Sequence, residues 1–253
     1  MPHGVCKLCL LEKDLRRSHL MAKSLYKKSG SDDPKQPHPL VRTKKGARPS
    51  SYQVQDYVFC HDCEQRFGKE GEDYMMRLVT RRDGSFPLLE MLERVKGSAK
   101  GSYWTAYSIT DAPSVQRDKI AYFVASIFYR ASVHKWKHES GEIISIDLGA
   151  ENNETLRQYL LGKTGFPTNA WIATFACTDG ESQTMFVMPD ANAKKDRAWL
   201  AIMRGFIFMF AMGVDPPGYI SRYCIMNSPQ RWITVRNCSY PHKIWNYKEE
   251  APS

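Results

Sequence analysis

The longest apolar run in the chain is WLAIMRGFIFMFAM, Trp199 to Met212, and Arg204 interrupts it. A membrane span needs about 20 apolar residues, so the run predicts a buried strand or helix. In SVQRDKIAYFVASIFYRASVHKW the apolar Ile120, Phe123, Val124, Ile127, Phe128 and Ala131 recur at helical spacing, which predicts a buried core helix. Asn153 to Leu156 opens another helix that Gly162 or Gly165 ends. AWIATFAC, the turn TDGES and QTMFVMP predict a β-hairpin, and FIFMFAM, YISRYCIM and RWITVR read as further strands. EQRFGKEGEDYMMRLVTRR reads as a helix interrupted at Gly68 and Gly71. In it Phe67, Met75, Leu78 and Val79 face inward; Glu72 and Asp73 could serve as extra oxygen ligands, a solvated acidic face being the preferred reading. Asp83-Gly84 marks a turn, and LLEMLERV forms a short amphipathic piece.

The pattern divides the chain. Residues 114–253 form an α+β unit, an antiparallel sheet packed by two helices. Residues 86–113, with the Gly- and Ser-containing GSAKGSYW, serve as linker, and 1–85 stand apart. His134 and His138, four apart near the end of the long helix, share a face. A second metal site needs a partner at matching spacing, and only Glu139 stands near, so solvated cations at a helix end are the reading.

Composition adds bounds. At 253 residues, 42% hydrophobic and 25% charged, the chain is ordinary globular protein, large enough for a sizeable core. MPHGVCKLCLLEKDLRRSHL has no apolar leader segment, so a soluble, cytoplasmic protein without membrane attachment is expected. No P-loop, G-x-G-x-x-G, G-x-S-x-G or H-E-x-x-H occurs, which removes the commonest nucleotide-binding, hydrolase-elbow and zinc-protease classes.

Seven cysteines divide unevenly. Cys6 and Cys9, and Cys60 and Cys63, form two C-x-x-C pairs, each a tight turn offering two sulfurs to one ion. Together they make a four-cysteine zinc site. Cys177, Cys224 and Cys238 sit among apolar or aromatic neighbours and read as buried reduced thiols. Fifty residues separate Cys9 from Cys60, far more than in a zinc ribbon. Closing a loop three times longer costs only about 1 kcal/mol more, against the order of 10 kcal/mol from structural zinc. The gap therefore carries an insertion.

The insertion is basic. From Lys13 to Arg48 eleven cations stand against three aspartates, a net +8 in a chain of net +9. A polyanion partner follows, with phosphates the default. The candidate contacts are Arg16, Arg17, Lys23, Lys27, Lys44 and Lys45. Within RRSHLMAKSLYKK a helix-like run places Leu20, Lys23, Ser24 and Lys27 on one face, just after Ser18-His19.

A C-x-x-C, a hairpin ending in His, and a second C-x-x-C with a polar residue opening a helix resemble the HNH, or His-Me finger, nucleases. CKLCLLEKDLRRSHLMAKSLYK with VFCHDCEQRF is similar to a group of bacterial HNH-like proteins sharing an S-H, a C-x-x-C-E and a trailing helical domain. The likeness covers about residues 5–75. It implies a zinc-stapled ββα domain at the N-terminus of an overall α+β protein. It also implies that His19 is the general base in phosphodiester hydrolysis, and that Glu64 holds a catalytic Mg²⁺ or Mn²⁺ beside structural zinc. A carboxylate suits those hard cations.

The chain departs from the family pattern twice. Ser18 stands where an acidic residue commonly precedes the His. The orienting Asn falls near Gln55 or Asp56, of which Gln55 could hold the imidazole through its amide oxygen and Asp56 through a carboxylate, or by binding metal. The expected function is a metal-dependent endonuclease, acting on DNA ahead of RNA, of a kind found in bacterial defence or mobile elements. A regulatory protein partner and an oligomer are compatible with it. A zinc finger that binds nucleic acid or a partner protein without cutting is the alternative.

Overall fold

The computed structural model describes residues 1–28, 38, 40–43, 46–81, 83–179, 183, 185–193, 198–213, 215–229 and 231–236. In chain order, β1 (His3–Val5) and β2 (Glu12–His19) lead to the short helix α1 (Lys23–Lys28). Next come β3 (Leu40–Thr43), β4 (Gly46–Pro49) and β5 (Gln55–Cys60). β5 runs without a break into α2 (His61–Phe67). β1, β2 and β5 form a three-stranded antiparallel sheet in that order. In β2 a bulge between Arg16 and Arg17 resets the alternation of side chains, so Leu15 and Ser18, three apart, both face the core.

After α2 the helix does not stop at the glycines. It widens into a π-helical segment, Gly68–Glu72, and continues as α3 (Asp73–Leu78). Gly71 explains the widening, because a Cβ there would lie 2.8 Å from the backbone nitrogen of Phe123. That backbone belongs to α5 (Arg117–Val133), which the chain reaches through α4 (Pro87–Leu92), β6 (Ala99–Lys100) and β7 (Trp104–Ser108). Only glycine lets the two helices approach so closely.

A small antiparallel pair, β8 (Trp136–Lys137) and β9 (Ile143–Ile144), and α6 (Ala150–Leu160) follow α5. Then come β10 (Ala170–Cys177), β11 (Met185–Ala193), β12 (Ala198–Met203) and β13 (Phe206–Met212), the short helix α7 (Gly218–Arg222) and β14 (Trp232–Arg236). Among the described residues the large sheet has nine strands, ordered β4-β3-β11-β12-β13-β10-β14-β7-β6. α5 lies against it, with Phe128 stacked on Phe210 at 5.0 Å and Phe123 edge-on to Phe208 at 6.1 Å. The chain is thus α+β, with a cysteine-bearing sheet at its N-terminus.

The apolar run Trp199–Met212 is the hairpin β12–β13, and the interrupting Arg204 makes its turn. Arg204 and Gly205 both take positive φ, 44° and 84°, as a two-residue hairpin turn requires. Other expectations change. β10 and β11 do not pair as a hairpin; β10 lies between β13 and β14. Its side chains are buried on both faces almost throughout, the pattern of a central strand. The sheet is mixed, since β14 runs parallel to β10 and β3 parallel to β11. The start of YISRYCIM is helical, because Pro217 fixes a helix entry and its carbonyl accepts from Ile220 and Ser221.

α5 ends at Val133, so His134 caps the helix in extended backbone while His138 lies beyond β8, buried and hydrogen-bonded to Ser140 at 3.0 Å. The two do not share a helix face. Cys177 is disulfide-bonded rather than a reduced thiol, Cys224 is a buried free thiol, and Cys238 lies outside the described residues. Pairing also crosses the divisions drawn from sequence. β3 and β4 come from residues 1–85, and β6 and β7 from 86–113, yet all join strands of 114–253 in one sheet. No helix among the described residues is long and apolar enough to cross a membrane.

Candidate metal centre and histidine site

The first cysteine pair sits in a tight turn closed by two backbone bonds, Cys6 N–H to Leu11 O at 3.0 Å and Leu10 N–H to Cys6 O at 2.9 Å. Leu10 takes φ of 61°, a conformation costly for a leucine, which the closed turn holds. The second pair straddles the β5–α2 junction, with Cys60 ending the strand and Cys63 in the first turn of the helix. The β2–β5 pairing, which sets Leu15 opposite Cys60, brings the two turns together. All four sulfurs lie within 4.8 Å of one another. Cys9 Sγ and Cys60 Sγ are 3.9 Å apart. Tetrahedral zinc with 2.3 Å bonds needs an edge of about 3.8 Å. The Cys60 amide also points at Cys6 Sγ, at 3.3 Å.

Crowded thiols share protons. A hydrogen bond from Cys63 pulls Cys6 down to about 4, and the same bond with burial pushes Cys63 far up. Sulfur separations, burial and donor chemistry fit a structural metal ion such as zinc.

His19 ends β2 and is half-buried. Its Nε2 lies 3.0 Å from Gln53 Oε1. An amide oxygen only accepts, so Nε2 carries the hydrogen and Nδ1 keeps its lone pair. Burial holds the imidazole below its ordinary value, and the Gln53 bond partly offsets this. The side chain that meets the ring is thus Gln53, just before β5, while Gln55 stands opposite His19 in the β2–β5 register. Asp56 instead meets His134 Nε2 at 2.9 Å and accepts from the Tyr57 amide at 2.7 Å. Ser18 is buried, and its hydroxyl accepts from the Phe59 amide at 3.1 Å, which locks β2 to β5.

Glu64, in the first turn of α2, points inward. Its Oε1 is buried without a hydrogen-bond partner. Burial raises its pKa; the Arg130 guanidinium and Ser18 hydroxyl oppose that, and Glu72 adds to it. Glu72, at the end of the π segment, pairs with Arg130 Nη2 at 2.6 Å. Arg130 is 1% exposed, rests over the Phe67 ring at 4.2 Å, and donates through Nη1 to the His19 carbonyl at 3.3 Å.

The fold thus gathers His19 and Glu64 with Gln53 and Arg130, which the sequence reading did not place there, and with Glu72, for which it preferred a solvated face. One signal existed: Arg130 falls at helical spacing within the apolar stripe of α5, between Ile127 and Ala131. A cation in such a stripe implies a buried partner.

Arg16, Arg17 and Lys23 are exposed on β2 and at the start of α1. Arg16 contacts Met1 Sδ at 3.1 Å and His61 Nδ1 at 3.4 Å. Lys13 is engaged by Asp62 at 2.7 Å. Lys44 and Lys45, and the side chain of Lys27, lie outside the described residues.

Compared with protein-family models, with curated proteins and with solved structures, the chain matches none.

Proposed function

We propose that the chain is an endonuclease of HNH-like type that hydrolyses nucleic-acid phosphodiesters, DNA ahead of RNA. The observation that carries the reading is the placement of His19. A half-buried imidazole at the end of β2 has one nitrogen held by Gln53, inside a hairpin that passes through two metal-competent cysteines into α2. Zinc on Cys6, Cys9, Cys60 and Cys63 staples the hairpin to the helix. His19, kept neutral by burial, takes the proton from the attacking water. Arg16, Arg17 and Lys23 supply exposed positive charge on the same hairpin and helix entry.

Glu64 is the residue proposed to hold a divalent cation. Its buried Oε1 is an acceptor without a hydrogen-bond partner, and Glu64, Glu72 and Arg130 sum to one negative charge when all are ionised. A hard cation suits that oxygen. When bound, Mg²⁺ or Mn²⁺ would neutralise charge on the scissile phosphate. Cytoplasmic action in bacterial defence or a mobile element, with a silencing protein partner, is the setting the resemblance implies.

A second reading has its own observation. The Arg130 guanidinium, which acts on Glu64 and pairs with Glu72, already supplies positive charge where a catalytic cation would stand, and this fits a finger that grips nucleic acid without cutting it. Plasmid nicking in Mg²⁺ or Mn²⁺ by wild type and Glu64→Gln separates the two. Metal-dependent nicking lost in the variant supports the nuclease. Salt-sensitive binding without nicking by either supports the finger.

A further inference from the structure

His19 is held at three points, and one of them comes from the far half of the chain. Its ring meets Gln53, the next amide (Leu20 N–H) donates to Val54 O at 3.0 Å, and its own carbonyl accepts from Arg130 Nη1 at 3.3 Å. The first two anchors are sequence neighbours. The third sits on α5, more than a hundred residues away, and is 1% exposed.

Arg130 is itself fixed. Glu72 binds its Nη2 at 2.6 Å, Phe67 lies beneath the guanidinium at 4.2 Å, and the Arg130 carbonyl accepts from Trp136 Nε1 at 2.8 Å. Glu72 reaches it from the π segment, whose register depends on Gly71 packing against the Phe123 backbone. A buried ion pair is weak support for stability, since well-packed apolar residues often serve as well. Orientation accounts better for this pair. A planar guanidinium with two fixed donors can bridge a carboxylate and a carbonyl, and an ammonium cannot reproduce that geometry.

We propose that Arg130 is a positioning residue for His19, clamped by Glu72, so that α5 sets the orientation of the base. The inference rests on reading His19 as that base. It makes the His19 centre depend on both halves of the chain.

The test combines cleavage kinetics with NMR titration of the His19 ring in the full, zinc-loaded chain, comparing wild type, Arg130→Lys and Glu72→Gln. The charges facing His19 are Lys23 from α1, Arg130 from α5 and Glu72 from the π segment, beside the Tyr26 ring at 6.2 Å. Arg130→Lys keeps the charge and loses the bridge. Its kcat is expected to fall by up to about a hundredfold with KM unchanged, while the His19 pKa stays within a few tenths of wild type. Glu72→Gln keeps the shape and removes the counter-charge, so His19 should titrate lower still. Simple loosening would expose the ring and raise its pKa toward the ordinary value, so the sign decides. Should Arg130→Lys not fold, Glu72→Gln carries the test alone. Wild-type kcat in Arg130→Lys, or a His19 pKa that rises or does not move in Glu72→Gln, overturns the positioning role. The titration also reads a chain that cuts nothing, so failure of the nuclease reading, seen as no cleavage by wild type, is a separate result.

Discussion

Nε2 of His19 lies 3.0 Å from the side-chain oxygen of Gln53, across the mouth of the β2–β5 hairpin. That contact fixes which nitrogen carries the hydrogen and leaves the other as a base. Burial holds the imidazole pKa below its ordinary value, so the neutral form dominates at neutral pH. Cleavage should therefore rise with pH through a window below about 6.5 and level off above it. Gln53→Glu places a carboxylate against the ring, stabilises the imidazolium and moves that acid limb to higher pH. The check is the pH–rate profile of both proteins, and an unmoved limb contradicts the assignment.

The same shift has a sign for stability. The folded chain binds the His19 proton less readily than the unfolded chain. The contribution is therefore fully present above the ordinary value near 6.5 and is lost as pH falls through it. Denaturant midpoints measured between pH 5 and 8 should show this dependence reduced in His19→Ala.

Removing a sulfur tests the metal centre. Cys63→Ser should lower zinc content well below one ion per chain, as read by elemental analysis. If even about 3 kcal/mol of zinc binding is lost, the melting temperature falls by about 6–12 °C. A chelator should bring the wild type to the same value, and equal melting with and without zinc would contradict a structural role.

Two glycines three residues apart in the sequence separate packing from propensity. A Cβ on Gly71 would meet the Phe123 backbone at 2.8 and 2.9 Å, where nothing can yield cheaply, while a Cβ on Gly68 meets nothing within 4 Å. Gly71→Ala should cost about 1–3 kcal/mol in denaturant unfolding. Gly68→Ala should be neutral or stabilising by up to about 1 kcal/mol.

What was legible in the sequence follows from how local each signal is. The C-x-x-C pairs, the apolar periodicity of α5 and the runs that became β12, β13 and β14 are local, and all appear in the structure. Partners are not local. Nothing in AWIATFAC and QTMFVMP says that β13 rather than β11 lies beside β10, because both segments are apolar on both faces and either pairing buries them. Glu72 reads as solvated until α5 brings Arg130 against it. The offset from Gln55 to Gln53 arises because the ring reaches back past the end of β5. A single bulge, between Arg16 and Arg17, is enough to displace the alternation along β2.

The exposed cations carry the nucleic-acid side of the account. Arg16→Ala, Arg17→Ala and Lys23→Ala should each weaken binding across unrelated sequences. Each should also reduce the slope of log K against log salt by about one where the side chain meets a phosphate. Fluorescence anisotropy at several salt concentrations reads both, and an unchanged slope in all three would place the polyanion elsewhere.

The central claim is that His19 is the base of a phosphodiester-cleaving site. The most direct measurement is cleavage by the purified full chain on plasmid, linear duplex, single-stranded DNA and RNA in Mg²⁺ or Mn²⁺, beside His19→Ala of verified zinc content. Metal-dependent cutting by wild type, lost in a variant that keeps its zinc and its binding, is the predicted result. Cutting by both proteins alike, or binding without cutting by either, would contradict it.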